Sequence, residues 1–501
     1  MTKLNENRKE NIQPRPPVVV VVGHIDHGKT ALLDSIRKSR VREKESGGIT
    51  QHIGAYEVEK EGRKITFIDT PGHEAFSQMR SRGARVADIA VLVVAADEGV
   101  KPQTKEAISH IKKSGVPIIV ALNKIDKPEA NPDKVKGELA KNDILVESMG
   151  GKIPSIETSA KEGKGITELL EIILLVAEME NLKGDINKPG EGAVIEAYLD
   201  AKRGPTATLL LRDGALNKGD IVATPSTSGK IKILENFQGD LIEKSLPSMP
   251  IIVLGLNSVP QVGEKFKVFP DMESALKYVE KKERKAEKAE VIFVEPGKKV
   301  LNIILKADVL GILEAIEGMI KILPQERVLL RVLKSEVGDI NESDIKLAQS
   351  SRASIFGFRV KVNSSLLRIA EREKVRIITF EVIYELVQGI RQVMEKVMKP
   401  EKVRVDLGKM KALVIFLTEK NRQIVGGKIL EGEVKKGTLI EVLRNDELIG
   451  RGRLISLQKE KKNIESARKG EEIGILYEGD VKIEERDTLL IYLEEKHKGE
   501  L

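Results

Sequence analysis

A glycine-rich segment near the N-terminus limits what this chain can fold into more than any other part of the sequence. Five valines, residues 18–22, form an unbroken apolar run that suits a strand buried on both faces of a sheet. The motif G-x4-G-K-T follows at residues 23–30, and residues 31–36 then have helical spacing. Strand, glycine loop and helix in this order predict a loop that binds phosphate groups. Further strands are predicted at 65–69, 89–95, 116–122 and 153–158, alternating with helical stretches, so the loop belongs in a parallel sheet covered by helices on both faces.

The chemistry of a polyphosphate accounts for each residue type in this loop. Gly23 and Gly28 let the backbone curl so that its N–H groups face the phosphates, and the helix N-terminus adds partial positive charge. Lys29 would reach the β- and γ-phosphates, and the Thr30 hydroxyl would ligate Mg²⁺. The predicted phosphate-loop residues are Gly23, His24, Ile25, Asp26, His27, Gly28, Lys29 and Thr30.

A second motif, N-K-x-D at residues 123–126, selects the base. It follows the apolar run 116–122. The Asp126 carboxylate can accept hydrogen bonds from N1–H and the 2-amino group of guanine, whereas adenine has no such donor pair. Asn123 would brace the loops, the Lys124 stem would lie along the base, and the segment S-A-K at residues 159–161 fits a backbone contact to guanine O6. The predicted base-binding residues are Asn123, Lys124, Ile125, Asp126, Ser159, Ala160 and Lys161.

A third motif, D-T-P-G-H, follows the strand predicted at 65–69 and shares its last residue. Asp69 would hold Mg²⁺ through water, Gly72 would offer an N–H to the γ-phosphate, and His73 would orient the attacking water as the catalytic residue. Phosphoryl transfer needs mainly positioning and charge neutralisation, so an orienting group is sufficient. The predicted γ-phosphate residues are Asp69, Thr70, Pro71, Gly72 and His73.

The glycine-rich segment 47–54 lies between the first helix and the second predicted strand. It is predicted to order with GTP and to be released after hydrolysis, which is how a switch works. Thr50 would add a second hydroxyl ligand, so the predicted metal ligands are Thr30, Thr50 and Asp69. A zinc site from His24-x-x-His27 is disfavoured, because the pair has no thiolate and no evident third ligand.

Composition places the chain among multidomain globular proteins. Its 501 residues suffice for three or four domains, and no apolar run approaches the roughly 20 residues of a membrane span. The sequence has no cysteine, which fits a cytoplasmic location, and residues 1–17 lack the apolar core of a signal peptide. The net charge of +7 comes from 84 basic and 77 acidic residues, so it does not establish nucleic-acid binding.

The predicted fold class is multidomain α/β and β: a P-loop GTPase domain, a β-barrel, an α/β sandwich domain, a long linker helix and a second β-barrel. The predicted boundaries are 1–17 for a disordered leader, 18–182 for the GTPase domain, 190–271 for the first barrel, 272–297 for a connecting helix, 298–380 for the α/β domain, 381–400 for the linker helix and 401–501 for the last barrel. The pattern breaks around 183–190, which is predicted to be a linker.

The two barrels echo each other at one turn each. Residues 216–221 of the first match residues 434–439 of the second, both being a glycine turn that leads into a strand. The echo has two explanations, an internal duplication or the turn chemistry that hairpins share.

The phosphate-loop and D-T-P-G-H motifs together resemble those of the translational GTPases. Within that group, the sequence is similar to the bacterial translation initiation factor 2 family over nearly the whole chain. The segments that carry the second resemblance are 47–56, 79–84, 93–100, 301–308 and 383–386.

The resemblance implies GTP-dependent delivery of formylmethionyl initiator tRNA to the small ribosomal subunit, with hydrolysis when the large subunit joins. It implies Mg²⁺ as cofactor, GTP as substrate and switch ligand, a monomer off the ribosome and no membrane partner. It also implies that His73 serves hydrolysis on the ribosome and that Ile25 helps to gate it. In that family the last barrel binds the formylmethionyl end of the tRNA.

Two features depart from the family pattern. The long N-terminal region of many members is nearly absent, and Gly427 and Ile473 stand where many members have cysteine. The second departure leaves the shape of the formylmethionyl pocket open. Basic residues in this barrel fit either tRNA phosphates or a solvated surface. They are Arg451, Arg453, Lys459, Lys461, Lys462, Arg468 and Lys469.

Three alternatives follow from the same motifs. An elongation-type tRNA carrier would place two barrels directly after the nucleotide domain, which the predicted α/β domain disfavours. A non-hydrolysing, GTP-controlled RNA-binding protein is disfavoured by the presence of both His73 and Thr50. The archaeal and eukaryotic relative of the factor is disfavoured by the short spacing between motifs.

Overall fold

The computed structural model describes residues 12–37, 53–283, 299–397, 401–460 and 462–497. The chain divides into two compact units, the first ending at Arg391 and the second beginning at Gln392. The predicted ligand Thr50 and most of the predicted switch segment lie outside the described residues. Within those residues, every helix is too short or too polar to cross a bilayer.

The first part of the chain is an α/β domain built on the phosphate loop. Its elements are β1 (Ile12–Pro14), β2 (Val18–Gly23), α1 (Lys29–Arg37), β3 (Gly54–Lys60), β4 (Arg63–Asp69), α2 (Ser77–Val86), β5 (Ile89–Ala95), α3 (Pro102–Ser114), β6 (Ile118–Asn123), α4 (Pro132–Ala140), β7 (Ser155–Glu157) and α5 (Ile166–Met179). The sheet order is β3-β4-β2-β5-β6-β7, and only the β3–β4 pair is antiparallel within this path.

Both faces of the central strands are buried. Val19 and Val21 of β2 share a core with α1 and α5, whereas Val20, on the alternate face, lies against Gly83 of α2. This is why β2 is an unbroken apolar run rather than an alternating pattern. The strands predicted at 18–22, 65–69, 89–95, 116–122 and 153–158 are all present, with ends that differ by up to two residues.

The edge strand β3 was not predicted. It carries three charged side chains in seven residues, and only Tyr56 is fully buried. A strand at the edge of a sheet is partly exposed, so its sequence lacks the apolar run by which the central strands are recognised.

Two predictions of irregular structure are wrong in part. The last residues of the predicted disordered leader form β1, and the first residues of the predicted linker at 183–190 form a strand, β8 (Lys183–Asp185). Strand β1 pairs antiparallel with β8, and the Arg15 N–H donates to Leu182 O at 3.1 Å. Neither segment has apolar alternation, so their pairing had no local signal. A tertiary ion pair holds the segment that contains Arg15.

Asp88 connects three parts of the first unit through one buried carboxylate. Arg15 donates to both of its oxygens, at 2.6 and 2.7 Å, and Arg212, from the following barrel, approaches at 2.8 Å. The Val18 N–H donates at 2.9 Å. Burial by itself would raise the pKa of Asp88, but the hydrogen bonds from Arg15 and the charge of Arg212 outweigh it and hold that pKa below its ordinary value.

We expect Asp88→Asn to destabilise the first unit by about 3–5 kcal/mol, because it leaves two guanidinium groups without their buried counter-charge. Since the folded pKa is lowered, the stabilisation is present above about pH 4 and is lost as pH falls through the folded pKa. Urea unfolding followed by circular dichroism at pH 7 and pH 3 measures both effects.

Asp143→Asn is the matched control, because that carboxylate is 89% exposed and pairs with Lys112 on the surface. Equal unfolding midpoints for the two variants at pH 7 would contradict the role given to Asp88.

The second part is a closed barrel with the order β10-β15-β13-β12-β16-β9. Its elements are β9 (Glu191–Asp200), β10 (Gly204–Asp213), β11 (Leu216–Asn217), β12 (Ile221–Ala223), β13 (Ser228–Asn236), β14 (Lys244–Ser245), β15 (Pro250–Leu256), β16 (Lys265–Phe269) and α6 (Met272–Glu283). The predicted connecting helix is present as α6, and its predicted continuation to residue 297 lies outside the described residues.

An α/β domain follows, with a parallel sheet of order β18-β17-β19-β20. Its elements are β17 (Lys299–Ala307), α7 (Leu310–Ile322), β18 (Val328–Val337), α8 (Glu342–Ser351), β19 (Ser354–Phe358), α9 (Ser364–Arg372), β20 (Ile377–Phe380) and α10 (Ile383–Val397). Helix α10 is the predicted long helix. Leu386, Ile390 and Val393 of its predicted apolar stripe are buried.

The second unit is a β-barrel. Its strands are β21 (Glu401–Glu419), β22 (Arg422–Lys435), β23 (Leu439–Arg444), β24 (Glu447–Lys459), β25 (Lys462–Asn463), β26 (Ser466–Arg468), β27 (Glu472–Gly479) and β28 (Thr488–His497). The path β21-β28-β23-β24-β27-β22 is closed by pairing between β21 and β22.

The two echoing turns have the same geometry. Gly219 and Gly437 have φ values of 93° and 84°, which favour glycine. The N–H of each glycine donates to a strand carbonyl, Ile231 O and Leu454 O respectively, at 2.9 Å. In both turns the same strand residue donates back to the residue after the glycine, also at 2.9 Å. The echo therefore reflects one turn structure used twice.

Candidate nucleotide-binding site

The three predicted motifs meet at one cleft of 360 Å³ at the carboxyl ends of β2, β4 and β6. In an open parallel sheet this edge is where ligands bind. The lining residues are Ile25, Asp26, Gly28, Lys29, Thr30, Ala31, Gly72, His73, Phe76, Asn123, Lys124, Asp126, Lys127, Ala160 and Lys161.

The glycines of the phosphate loop are required by close packing. A Cβ atom at Gly23 would collide with Val93 O of the neighbouring strand, and one at Gly28 would collide with Asn123 Nδ2. The positive φ of Gly28, 84°, also favours glycine. The loop is therefore shaped by its contacts with β5 and with the base-recognition motif.

Lys29 is the first residue of α1, and it connects the phosphate loop to the D-T-P-G-H loop. Its ammonium donates to His24 O at 2.6 Å. A Cβ atom at Gly72 would collide with the same ammonium, so a larger residue there would displace the Lys29 side chain from its present position. Burial lowers the pKa of Lys29 to about 8, in spite of the opposing charge of Asp69. A bound polyphosphate would supply the counter-charge that this buried cation needs.

The base end of the cleft is organised around Asp126. The Ser159 hydroxyl donates to Asp126 Oδ1 at 2.7 Å and lowers the pKa of that carboxyl, which keeps it ionised at neutral pH. Ser159 is fully buried and contributes through this hydrogen bond, without lining the cleft. An ionised carboxylate at this position can accept from two N–H donors of a guanine base.

Asn123 bridges the two loops as predicted. Its Nδ2 donates to His27 O at 3.0 Å, and its Oδ1 accepts from the Ala160 N–H at 3.2 Å. Lys124 extends to Glu98, with 3.0 Å between Nζ and Oε1. The base and phosphate subsites are thus held by the same amide side chain.

His73 lines the cleft next to Gly72 and caps a single 3₁₀ turn, Glu74–Phe76. Its Nδ1 accepts from the Ala75 N–H at 3.2 Å. Burial lowers the pKa of His73, and the positive charge of Arg80 opposes protonation further. The imidazole is therefore predominantly neutral at pH 7.

Arg80 is a residue that the motif analysis missed. It is completely buried, and its Nη1 donates to the backbone carbonyls of Pro71, at 3.1 Å, and His73. Its Nη2 donates to Glu106 of α3 at 2.8 Å. Arg80 lies one helical turn inside α2. Because an arginine in a helix is usually exposed, its position in the sequence did not indicate that it would be buried at the site.

Several predicted residues lie behind the cleft rather than in its wall. Thr70 is buried and donates to Val21 O at 3.0 Å. The predicted residues outside the lining are Gly23, His24, His27, Asp69, Thr70, Pro71, Ile125 and Ser159. Conversely, Ala31, Phe76 and Lys127 line the cleft and were not predicted.

The residues present fit Mg²⁺. Thr30 lines the cleft at the start of α1, and Asp69 ends β4 opposite Val21 of β2. A hydroxyl and a carboxylate are oxygen donors, which Mg²⁺ prefers, and its remaining positions are normally filled by water and phosphate oxygens. The histidines of the loop do not form a comparable set: within the described residues, no group of three or more His, Cys, Asp or Glu side chains could hold a metal.

Family models match three segments of the chain. Residues 15–179 match the elongation factor Tu GTP binding domain, residues 189–269 match elongation factor G domain 2, and residues 277–391 match the translation-initiation factor 2 family.

Curated relatives extend the similarity along almost the whole chain. Translation initiation factor IF-2 of Carboxydothermus hydrogenoformans is 46% identical over 98% of this chain, which spans 61% of that protein. The factor of Roseiflexus castenholzii is 44% identical to this chain, and the match covers 97% of this chain and 68% of the Roseiflexus protein. The factor of Dehalococcoides mccartyi is 42% identical to this chain, and the match covers 98% of this chain and 84% of the Dehalococcoides protein.

Among solved structures, GDP-bound aIF5B from Aeropyrum pernix is 26% identical, with a TM-score of 0.48. The match covers 96% of this chain and 92% of the archaeal one.

Proposed function

Because this chain belongs to the translation initiation factor IF-2 family, we propose that it is a GTPase of translation initiation. It binds formylmethionyl initiator tRNA, promotes its binding to the small ribosomal subunit and the joining of the subunits, and hydrolyses GTP on the assembled ribosome. Its place of action is the cytoplasm, where it is a monomer off the ribosome.

The observation that carries the proposal is the cleft that joins phosphate, metal and base subsites. Lys29 and Asp126 both line it, and Asn123 holds the loops on which they stand. A buried cation at one end and an ionised carboxylate at the other are the complements of a polyphosphate and a guanine ring.

The mechanism assigns each group one task. Lys29 neutralises phosphate charge, the Gly72 N–H donates to the γ-phosphate, and His73 orients the attacking water. Bound Mg²⁺, held by Thr30, Thr50 and Asp69, would neutralise charge on the β- and γ-phosphates. Catalysis of this type depends on positioning, so hydrolysis by the isolated chain is slow until the ribosome completes the site.

Cargo binding is assigned to the last barrel. The strand register pairs Gly427 with Ile473, the two departures from the family pattern. A Cβ atom at Gly427 would collide with Met410 Cε and Lys411 O, and Ile473 is 4% exposed. Met410 and the backbone of Lys411 therefore fill the space that a larger side chain would need at Gly427. We propose that this difference alters one wall of the formylmethionyl pocket.

The basic residues of this barrel are candidates for tRNA phosphates. Arg453, Lys462 and Lys469 are exposed, whereas Arg451 and Lys459 pair with Glu441 and Glu471 at 2.9 and 2.6 Å. Lys461 lies outside the described residues. Binding through such residues weakens as salt rises.

Filter binding of initiator tRNA, formylated and unformylated, in the presence of GTP or GDP tests the proposal. We expect retention of the formylated tRNA on the filter to exceed that of the unformylated form. Equal retention of charged elongator tRNA would favour the elongation-type alternative. The α/β domain from β17 to β20, which separates the two barrels along the sequence, argues against that alternative.

A further inference from the structure

The start of α10 packs directly on the proposed catalytic histidine. The ring centroids of Tyr384 and His73 are 4.3 Å apart, with an angle of 54° between the ring planes. Aromatic pairs at this separation attract each other beyond the area they bury. A residue far away in the sequence therefore contacts the side chain to which the mechanism assigns the attacking water.

His73 lies between two cavities. It lines the nucleotide cleft, and it also lines a neighbouring apolar groove of 620 Å³. Val387, one helical turn after Tyr384, lines the groove but not the cleft. Helix α10 therefore approaches the imidazole from the groove side.

The position of His73 is held from three directions. The Ala75 N–H donates to Nδ1 at 3.2 Å, Arg80 donates to the backbone carbonyl, and the Tyr384 ring packs against the imidazole. The contact from Arg80 fixes the backbone of the capped 3₁₀ turn. The imidazole itself is held by the hydrogen bond to Nδ1 and by the Tyr384 ring, and of these two the ring comes from outside the D-T-P-G-H loop.

One polar atom of Tyr384, its hydroxyl, is unpaired: it is buried and has no hydrogen-bond partner within the described part of the chain. A buried hydroxyl without a partner is costly, so the ring pair is weaker than its packing alone would suggest. An interaction of this kind can hold a side chain in the isolated protein and still be released when the surroundings change.

We propose that Tyr384 is a positioning residue that holds His73 on the groove side and thereby restrains GTP hydrolysis by the isolated chain. The inference rests on the proposed function, since it presumes that His73 orients the attacking water. Release of the ring contact frees the imidazole to rotate toward the γ-phosphate end of the cleft.

Single-turnover GTP hydrolysis by the full chain without ribosomes tests this. We expect Tyr384→Leu to hydrolyse GTP about 2- to 10-fold faster than wild type, the range given by the worth of an aromatic pair. Tyr384→Phe keeps the ring and removes the unpaired hydroxyl, so it is expected to hydrolyse GTP no faster than wild type. Val387→Ala, which enlarges the same groove without removing the ring contact, is the matched control and is expected to hydrolyse at the wild-type rate.

Two further measurements distinguish loss of the ring contact with His73 from a general destabilisation of the fold. The ring protons of His73 in NMR spectra should show an upfield ring-current shift in wild type and Tyr384→Phe, which Tyr384→Leu loses. Adding His73→Ala to Tyr384→Leu should abolish the gain in rate. A gain that persists in the double variant would overturn the proposal, as would an unchanged rate in Tyr384→Leu when the shift has been lost.

The proposal and the proposed function fail in different ways. If the protein neither binds nor hydrolyses GTP, the function is wrong, although the ring-current shift is still expected. If GTP is bound and hydrolysed but every Tyr384 variant behaves as wild type, only the positioning role is wrong.

Discussion

Asp126→Asn is expected to lower the affinity for GDP by about 10²- to 10⁴-fold. In the proposed function the carboxylate accepts two hydrogen bonds from guanine. Each hydrogen bond to a charged group contributes about 1.5–3 kcal/mol, and about 1.4 kcal/mol corresponds to a tenfold change in affinity. An asparagine amide oxygen can accept from N1–H, but the amide nitrogen is a donor and faces the 2-amino group, which is also a donor. Titration calorimetry with GDP measures the loss.

The same variant is expected to gain affinity for xanthosine diphosphate. Xanthine has a carbonyl where guanine has its amino group, so the amide that replaces the carboxylate is its complement. The Ser159 hydroxyl, at 2.7 Å from Asp126 Oδ1 in the wild-type chain, can still donate to the amide oxygen and hold it in place. A reversal of base preference distinguishes lost recognition from a damaged fold.

Asp133→Asn is the control for this experiment. Its carboxylate is 92% exposed on α4 and does not line the cleft, so GDP affinity should not change. Wild-type GDP binding by Asp126→Asn would show that another group recognises the base.

His73→Ala is expected to lower ribosome-stimulated GTP hydrolysis by about 10²- to 10⁴-fold, the usual contribution of a side chain that assists proton transfer or water attack. GTP affinity should be unchanged, because the phosphates are bound by the loop backbone and Lys29 rather than by the imidazole. Phosphate release in rapid-mixing experiments, together with equilibrium binding of a fluorescent GTP analogue, separates the two quantities.

Lys112→Ala serves as the control for that experiment, since the lysine is on the surface of α3 and pairs with Asp143 at 3.1 Å. A parallel loss of GTP affinity and hydrolysis in His73→Ala would point to a disturbed loop rather than to a lost orienting group. Unchanged hydrolysis would remove His73 from the mechanism.

The nucleotide cleft was predictable because its chemistry is encoded in short segments. Each motif follows a buried strand directly, and parallel strands end at a common edge, so local order in the sequence becomes proximity in the fold. For the same reason the central strands β2 and β5 were recognised from apolar runs alone.

The elements that were missed depend on partners far away in the sequence. Strand β1 exists because Lys183–Asp185 pairs with it and because Arg15 reaches Asp88, and neither segment has a strand pattern of its own. Arg80 resembles any other charged residue of a helix until the fold buries it against the carbonyls of Pro71 and His73.

The sequence by itself therefore determined the phosphate loop, the preference for guanine and the succession of domains, since each follows from the order of neighbouring residues. Only the tertiary structure decided what holds His73, because Tyr384 lies 311 positions further along the chain (384 − 73). A contact between such distant residues depends on how intervening domains pack, and no local pattern specifies it.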